Sequence, residues 1–173
     1  RLAPFRHAQF RIFFFAQSLS LVGTWSSDLA RAWLVVEMLG QAQALGLLAL
    51  AMATPAFFLT LHGGVLVDRM NVLKLMMITK AVLAVTTLSL AVVTEHFEVK
   101  FWMLIGLAVV DGFVSSFDLP AYQALVARLV PKKDLQQSLA INSTNFHTAR
   151  MLGPLVAGLL MAWHGPSLVF LFD

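Results

Sequence analysis

Long apolar runs separated by short polar connectors are the dominant pattern along this chain. A helix needs roughly 20 residues, rising ~1.5 Å each, to cross a hydrocarbon core of about 30 Å. Five runs meet this length, and they are Phe13–Val36, Leu45–Val67, Leu75–Thr94, Phe101–Phe117 and Ser138–Trp163. A further run begins at Pro166 and predicts the start of a sixth helix. Since the runs do not alternate with a period of two, a barrel is excluded and the predicted fold is all-α, a polytopic membrane helix bundle.

The basic residues gather on one side of these predicted spans. Eight of them lie in the amino-terminal arm and in the connectors after the second and fourth spans, namely Arg1, Arg6, Arg11, Arg69, Lys74, Arg128, Lys132 and Lys133. The opposite connectors contain Lys100 as their one basic residue, beside Glu37, Glu95 and Glu98. Because cytoplasmic loops of membrane proteins are enriched in Lys and Arg, we predict a cytoplasmic amino terminus.

The composition agrees with a membrane protein and excludes several other classes. Hydrophobic residues make up 59% of the chain and charged residues 12%, whereas a soluble domain has about 25% charged residues. The net charge of +3 is dispersed in short loops, so no nucleic-acid partner is predicted. The chain has no cysteine and no histidine pair at metal-ligand spacing, so neither a metal nor a cofactor is predicted.

Polar residues form a stripe along the first span. Steps of three and four residues place them on one helix face, and they are Gln17, Ser20, Thr24, Ser27, Asp28 and Arg31. Hydrogen bonding between helices is the simpler explanation for Ser20 and Ser27. A charge without a partner at membrane depth costs upward of about 2.5 kcal/mol. Asp28 and Arg31 therefore either pair with each other at i, i+3 or face a wet cavity.

Spans four and five also contain polar residues at membrane depth. Asp111 lies in the middle of span four, and the first half of span five contains Asn142, Ser143, His147 and Arg150. At ~1.5 Å per residue, Asp111 and Arg150 lie roughly 13 and 18 Å from the cytoplasmic ends of their helices. The sequence therefore predicts an Asp111–Arg150 ion pair, which either braces the bundle or takes part in function. For His147, a single polar contact is the alternative to a proton relay.

Small residues on span five predict a close contact with another helix. Ala149, Gly153 and Ala157 form a ridge of small side chains at four-residue spacing, and Gly158 lies beside it. Pro154 removes one hydrogen bond from the backbone of this helix. We expect Gly153, Pro154 and Gly158 to act as a helix-bending motif.

Several motifs together resemble a known family. The connector after span two contains Gly64-x-x-x-Asp68-Arg69 followed by Lys74, which resembles the signature loop of the major facilitator superfamily. Further matching motifs are Phe5-Arg6, Phe10-Arg11, Ala32-Trp33-Leu34, Asp118-Leu-Pro120, Val130-Pro131, Asp134-Leu135, Asn142-Ser143 and Arg150-x-x-Gly153-Pro154-x-x-x-Gly158. As a set they resemble the bacterial efflux branch that includes enterobactin exporters and macrolide efflux proteins.

The resemblance implies a larger architecture. It implies twelve spans in two six-helix halves around a central cavity that opens to alternate sides of the bacterial cytoplasmic (inner) membrane. Residues 1–173 would then be a fragment, the amino-terminal half with five full spans and the start of a sixth, and the carboxy-terminal half would be absent. It also implies that Gly64, Asp68, Arg69 and Lys74 form a cytoplasmic gate loop, and that Gly153-Pro154 belongs to an antiporter motif.

The sequence departs from the family pattern at three places. Val72 and Leu73 stand where basic residues usually follow the Asp-Arg pair of the gate loop. Ala140, Ala149 and Ala157 replace glycines of the fuller span-five motif, and Asp111-Gly112 stands where many drug antiporters carry an arginine.

The leading hypothesis is a secondary active transporter that exports a small amphipathic molecule, such as a drug or a siderophore-like compound, by proton antiport. Its partners would be that small molecule, protons and the lipid bilayer. The span-one stripe and the polar half of span five would face each other across the cavity, and Asp28 and Asp111 would couple protons as Arg31 or Arg150 moves. The alternatives are an importer, a passive facilitator or a truncated remnant. A membrane-embedded enzyme using His147 or Asp111 is disfavoured because no paired nucleophile accompanies them.

Overall fold

The computed structural model describes the backbone of residues 3–173 and the side chains of residues 4–59, 70–118 and 120–173. A short 3₁₀ helix, Ala3–Arg6, precedes six α helices. Numbered α1 to α6 in chain order, the helices are Ala8–Leu39, Ala42–Arg69, Val72–His96, Phe101–Leu129, Lys132–His164 and Pro166–Phe172. No strand occurs within residues 3–173. The prediction of an all-α bundle is therefore confirmed.

The helices end where the sequence places turn residues. Gly40 adopts a left-handed conformation (φ +60°) and donates its backbone N–H to the carbonyl oxygen of Val36 at 2.8 Å, which closes α1. Asn71 caps α3, because its side-chain oxygen accepts hydrogen bonds from the N–H groups of the next turn. Gly165 (φ +79°) separates α5 from α6, which begins at Pro166. These tight connections make consecutive helices antiparallel.

The helices differ in how apolar they are. Within the described residues, three segments are both long and apolar enough to cross a membrane, namely Ala42–Leu59, Val72–His96 and Phe101–Leu129. Helices α1 and α5 are longer still, at 32 and 33 residues, but they contain the polar stripes noted in the sequence. The two polar helices, α1 and α5, pack against each other.

The surface of the bundle is unusually apolar. Twelve large apolar side chains among the described residues are each more than 60% exposed: Ile12, Phe15, Leu19, Leu50, Phe57, Phe58, Val85, Phe97, Trp102, Met151, Trp163 and Leu171. Leaving apolar area in water costs about 25 cal/mol per Å². Hydrocarbon removes this cost, so the bundle surface is that of a multi-pass membrane protein.

The interior is layered along the helix axes. One apolar cluster lies at the end where α3 finishes and α4 begins, and it includes Leu34, Leu90 and Leu104. Two further clusters at the opposite end contain Phe10 and Val72. Between the two ends lie most of the buried polar residues, namely Ser26, Ser27, Arg31, Thr79, Thr86, Thr87, Asp111 and Ser116. These polar groups therefore form a layer with apolar packing on both sides.

Glycines permit two close helix contacts. A Cβ atom at Gly112 of α4 would overlap the carbonyl oxygen of Met52 in α2. A Cβ at Gly153 of α5 would overlap Trp25 of α1 and lie 3.1 Å from the backbone nitrogen of Ser26. At both contacts the neighbouring backbone occupies the space that a side chain would need.

The small-residue ridge on α5 forms the predicted helix contact. Ala149, Gly153 and Ala157 are all buried. In contrast, a Cβ at Gly158 would meet no heavy atom of another helix within 4 Å, so this glycine is not needed for packing in the described residues. Helix α5 continues through Pro154 without a break.

Candidate functional site

A buried ion pair lies at the centre of the polar layer. Nη1 of Arg31 in α1 contacts Oδ2 of Asp111 in α4, and both side chains are less than 5% exposed. The hydroxyl of Thr86 in α3 donates a hydrogen bond of 2.7 Å to Oδ1 of the same carboxylate. Three helices are thus connected through one carboxylate at mid-bundle.

This geometry corrects the pairings predicted from the sequence. Asp111 pairs with Arg31 and not with Arg150, which is exposed and has its guanidinium carbon 5.3 Å from the ring centroid of Trp25. The i, i+3 pair between Asp28 and Arg31 does not form either, because Arg31 extends to Asp111. The physical reason is that Arg31 is buried on the inner face of α1, whereas Arg150 lies on the exposed face of α5.

A small cavity surrounds the ion pair. Its volume is about 30 Å³, and its lining includes Thr24, Ser27, Asp28, Arg31, Thr87, Asp111 and Ser115. This volume accommodates a water molecule. Asp28, Asp111 and Asp173 therefore share one small polar cavity with one guanidinium, that of Arg31.

A larger cavity of about 440 Å³ lies between α1 and α3. Its polar lining comes from Gln17, Ser20, Thr24, Lys80 and Asp173, and its apolar lining includes Phe13, Met76 and Met77. Thr24, Leu83 and Asp173 border both this cavity and the smaller one. The polar stripe on α1 therefore lines the larger cavity from Gln17 to Thr24 and continues from Thr24 to the buried ion pair.

The arrangement of the two polar stripes differs from the prediction. None of Asn142, Ser143, His147 and Arg150 lines either cavity bordered by the α1 stripe. The stripe on α1 faces α3, whereas α1 meets α5 through Trp25 and Ser26. The expectation that the two stripes face each other across one cavity is therefore wrong for these cavities.

A second polar unit lies two turns from the first. The hydroxyl of Thr79 donates to Oδ1 of Asp118 at 3.0 Å, and Nζ of Lys80 donates to Oδ2 at 3.0 Å. The Thr79–Asp118 and Thr86–Asp111 contacts repeat every seven residues along the antiparallel helices α3 and α4. Sequence reasoning missed the α3 residues, although this matched spacing was visible in the sequence.

The polar residues of α5 form an outward-facing surface. Ser143, His147 and Arg150 are exposed, and Asn142 is partly buried. The ring of Phe146 contacts the rings of both Trp25 and His147, and its centroid lies 5.5 Å from that of Trp25. This surface is separate from the buried ion pair.

The predicted gate loop falls largely outside the described side chains. Gly64, Asp68 and Arg69 lie outside the residues whose side chains are described, and Lys74 is exposed near the start of α3. The backbone remains helical through Arg69, so the turn comes later than predicted, at Met70 and Asn71. In the described residues, no group of three acidic or histidine side chains is placed to hold a metal ion.

An apolar-surfaced helix bundle with a charged layer across its interior is the architecture of a polytopic membrane transporter. The whole chain, residues 1–173, matches the family model described as transmembrane secretion effector, and it belongs to this family of the major facilitator superfamily. The resemblance seen in the sequence is therefore confirmed, and the family is one of transporters and not of enzymes.

Three curated relatives show the same relationship. The staphyloferrin A transporter of Staphylococcus aureus is 26% identical over 91% of this chain and 40% of its own length. The macrolide efflux protein A of Streptococcus pyogenes is 26% identical over 83% of this chain and 36% of its own. The enterobactin exporter of Shigella flexneri is 25% identical over 92% of this chain and 39% of its own. The chain thus spans about two fifths of these relatives, and no solved structure matches it.

Proposed function

We propose that the whole protein exports a small amphipathic molecule across the bacterial cytoplasmic membrane by proton antiport. Its two halves would expose a central cavity to each side of the membrane in turn. The proposal is supported by family membership and by relatives named as exporters or transporters of siderophores and macrolides. The basic connectors support a cytoplasmic amino terminus.

The charge balance around Arg31 carries the proposal of proton coupling. Asp28, Asp111 and Asp173 line the same small cavity, and the one guanidinium in its lining belongs to Arg31. When all three carboxylates are ionised, the four groups have a net negative charge, which is costly away from water. Protonation of a carboxylate lowers this net charge. The side chains of this cavity are therefore suited to taking up and releasing a proton.

Movement of the helices supplies a way to couple this proton to transport. Asp28 and Arg31 are on α1, whereas Asp111 is on α4. A shift of α1 along α4 would transfer Arg31 between the two carboxylates and change which of them holds the proton. A membrane potential contributes about 2.3 kcal/mol per charge for each 100 mV, and this drives the inward movement of the proton.

Two sequence motifs are assigned supporting roles. We assign Gly64, Asp68, Arg69 and Lys74 to a latch that closes the cytoplasmic side against the other half of the protein. Gly153, Pro154 and Gly158 are assigned to the helix movement. For the latter, the close α1–α5 contact at Gly153 offers a pivot, and the missing N–H of Pro154 weakens the helix backbone there.

Asp28→Asn in the whole protein is expected to abolish the response of transport to an imposed pH gradient. Asparagine has nearly the size of aspartate but cannot release a proton, so the variant should fold normally while the coupling is lost. Transport would be measured in proteoliposomes with two probes of permanent charge, 1-naphthalenesulfonate and tetraphenylphosphonium. We expect the ratio of transport with and without the gradient to fall about tenfold or more, to near one.

Glu37→Gln is the matched control because Glu37 is an exposed carboxylate at the end of the same helix. This variant should keep the full response to the gradient. If Asp28→Asn kept it as well, proton coupling through Asp28 would be rejected. Gradient-independent transport by the unmodified protein would instead show a passive facilitator.

A further inference from the structure

We propose that the exposed polar surface of α5, together with Trp25, binds the aromatic, anionic part of the transported molecule. This surface, called here the α5–Trp25 face, consists of Trp25, Ser143, Phe146, His147 and Arg150. The inference rests on the proposed function and deepens it, because it specifies the chemical class of the substrate. It also places substrate contact on a different surface from the buried Arg31–Asp111 pair.

The charge of Arg150 is the first observation. Arg150 lies 18 residues after Lys132, the first residue of the 33-residue helix α5, and therefore near the middle of the helix. Its side chain is exposed, and it forms no ion pair with a carboxylate among the described side chains. A guanidinium at this depth requires water or an anion. Since the surface faces outward from this bundle, an anion could reach it.

The aromatic contacts hold the guanidinium in place without using up its donors. Its central carbon lies 5.3 Å from the ring centroid of Trp25, which is the distance of a cation–π contact. Such a contact uses no hydrogen-bond donor, and a guanidinium has five N–H groups in a fixed fork. A pair of N–H donors therefore remains for a carboxylate, sulfonate or phenolate group.

The neighbouring side chains favour a ring attached to that anionic group. Phe146 lies edge-to-face against Trp25, with a centroid distance of 5.5 Å and an interplanar angle of 75°, and it remains 39% exposed. The ring of His147 lies 5.7 Å from that of Phe146. Aromatic rings pair well in such offset and edge-to-face arrangements. A planar ring would therefore contact Phe146 and Trp25 while its anionic group meets Arg150.

The α5–Trp25 face contains donors and lacks acidic groups. Ser143 and His147 lie seven and three residues before Arg150, on the same side of the helix, and both are exposed. The larger α1–α3 cavity differs, because its cation Lys80 is already paired with Asp118. An anionic aromatic molecule is therefore better matched to the α5–Trp25 face than to that cavity.

The test measures binding of two probes to the whole protein in detergent by equilibrium dialysis. The anionic probe is 1-naphthalenesulfonate, and the cationic probe is tetraphenylphosphonium; both charges are independent of pH. We expect Arg150→Gln to raise the Kd of the anionic probe about tenfold or more while leaving that of the cationic probe unchanged. Arg150→Lys should have a smaller effect, because lysine keeps the charge but loses the two-donor geometry.

Two further variants distinguish the site from a general charge effect. Arg128→Gln removes an exposed arginine at the end of α4 and should leave the Kd of both probes unchanged. Trp25→Leu should weaken binding of the anionic probe, whereas Trp25→Phe should largely retain it, because phenylalanine preserves the aromatic surface. Thermal unfolding of each variant would verify that it is folded.

The outcomes separate this inference from the proposed function. Unchanged binding of 1-naphthalenesulfonate by folded Arg150→Gln would overturn the inference, because the anionic group would then be held by other residues. Gradient-driven transport of tetraphenylphosphonium without binding of the anionic probe would also overturn it, yet would leave the proposed export function standing. Arg150-dependent binding of the anionic probe without transport of either probe would support the site and reject the export function.

Discussion

Replacing Arg31 by methionine is expected to destabilise the whole protein by about 3–5 kcal/mol, because it leaves the carboxylate of Asp111 buried without its cation. Asp111 is 2% exposed, so the charge cannot turn toward water without opening the contact between α1 and α4. Thr86 would still donate its hydrogen bond, but a single neutral donor does not replace a guanidinium. Thermal unfolding in detergent, followed by the loss of the monodisperse peak in size-exclusion chromatography, would measure the change.

Two matched variants test whether the unpaired charge is the cause. Arg128→Met removes the same chemical group from an exposed position and should change stability by less than about 0.5 kcal/mol. The double variant Arg31→Met, Asp111→Asn removes both charges and should be more stable than Arg31→Met alone by about 1 kcal/mol or more. If the double variant were no more stable than the single one, the ion pair would not be what stabilises this layer.

The helices were predictable because their signals are local. Membrane-length apolar runs and turn residues such as Gly40 and Asn71 lie close together in the sequence, and they determine where a helix begins and ends. Small residues at four-residue spacing similarly identified the packed face of α5 before any contact was known. Gly158 shows the limit of this signal, since a glycine beside the ridge need not lie in the contact.

The partners of the polar residues were not predictable in the same way. Spacing shows that Asp111 faces inward, but which cation reaches it depends on which helices are neighbours. Helix α4 makes only slight contact with either α1 or α5, and Arg31 reaches Asp111 because it is buried, whereas Arg150 lies on the exposed face of α5. Choosing between Arg31 and Arg150 therefore required the packing of the bundle.

The hydroxyl groups of α3 were overlooked for a different reason. Threonine in a membrane helix usually bonds to its own backbone and is common, so an isolated Thr86 gives little information. The informative feature is the pair of matched intervals, with Thr79 and Thr86 seven residues apart opposite Asp118 and Asp111. A spacing shared by two antiparallel helices indicates contact, whereas a spacing within one helix indicates only a common face.

Gly153→Val is expected to prevent normal packing of α1 against α5 and to destabilise the whole protein by at least about 3 kcal/mol. Overpacked side chains typically cost about 1–3 kcal/mol, and the cost here is at the upper end or beyond because a new Cβ would meet Trp25 and the backbone of Ser26, which cannot rotate away. Separation of the helices would also break the 2.9 Å hydrogen bond that Ser26 donates to the carbonyl oxygen of Gly153.

Gly158→Val provides a control on the same helix with the same change in volume. No heavy atom of another described helix lies within 4 Å of a Cβ built at Gly158, so this variant should keep its folded yield and unfolding temperature close to those of the unmodified protein. The two variants would be compared by yield of monodisperse protein and by thermal unfolding in the same detergent. Equal stability of the two would contradict the close α1–α5 contact, because helix propensity and side-chain volume change identically in both. A loss confined to Gly153→Val would establish that this contact, and not glycine content in general, holds the polar helices together.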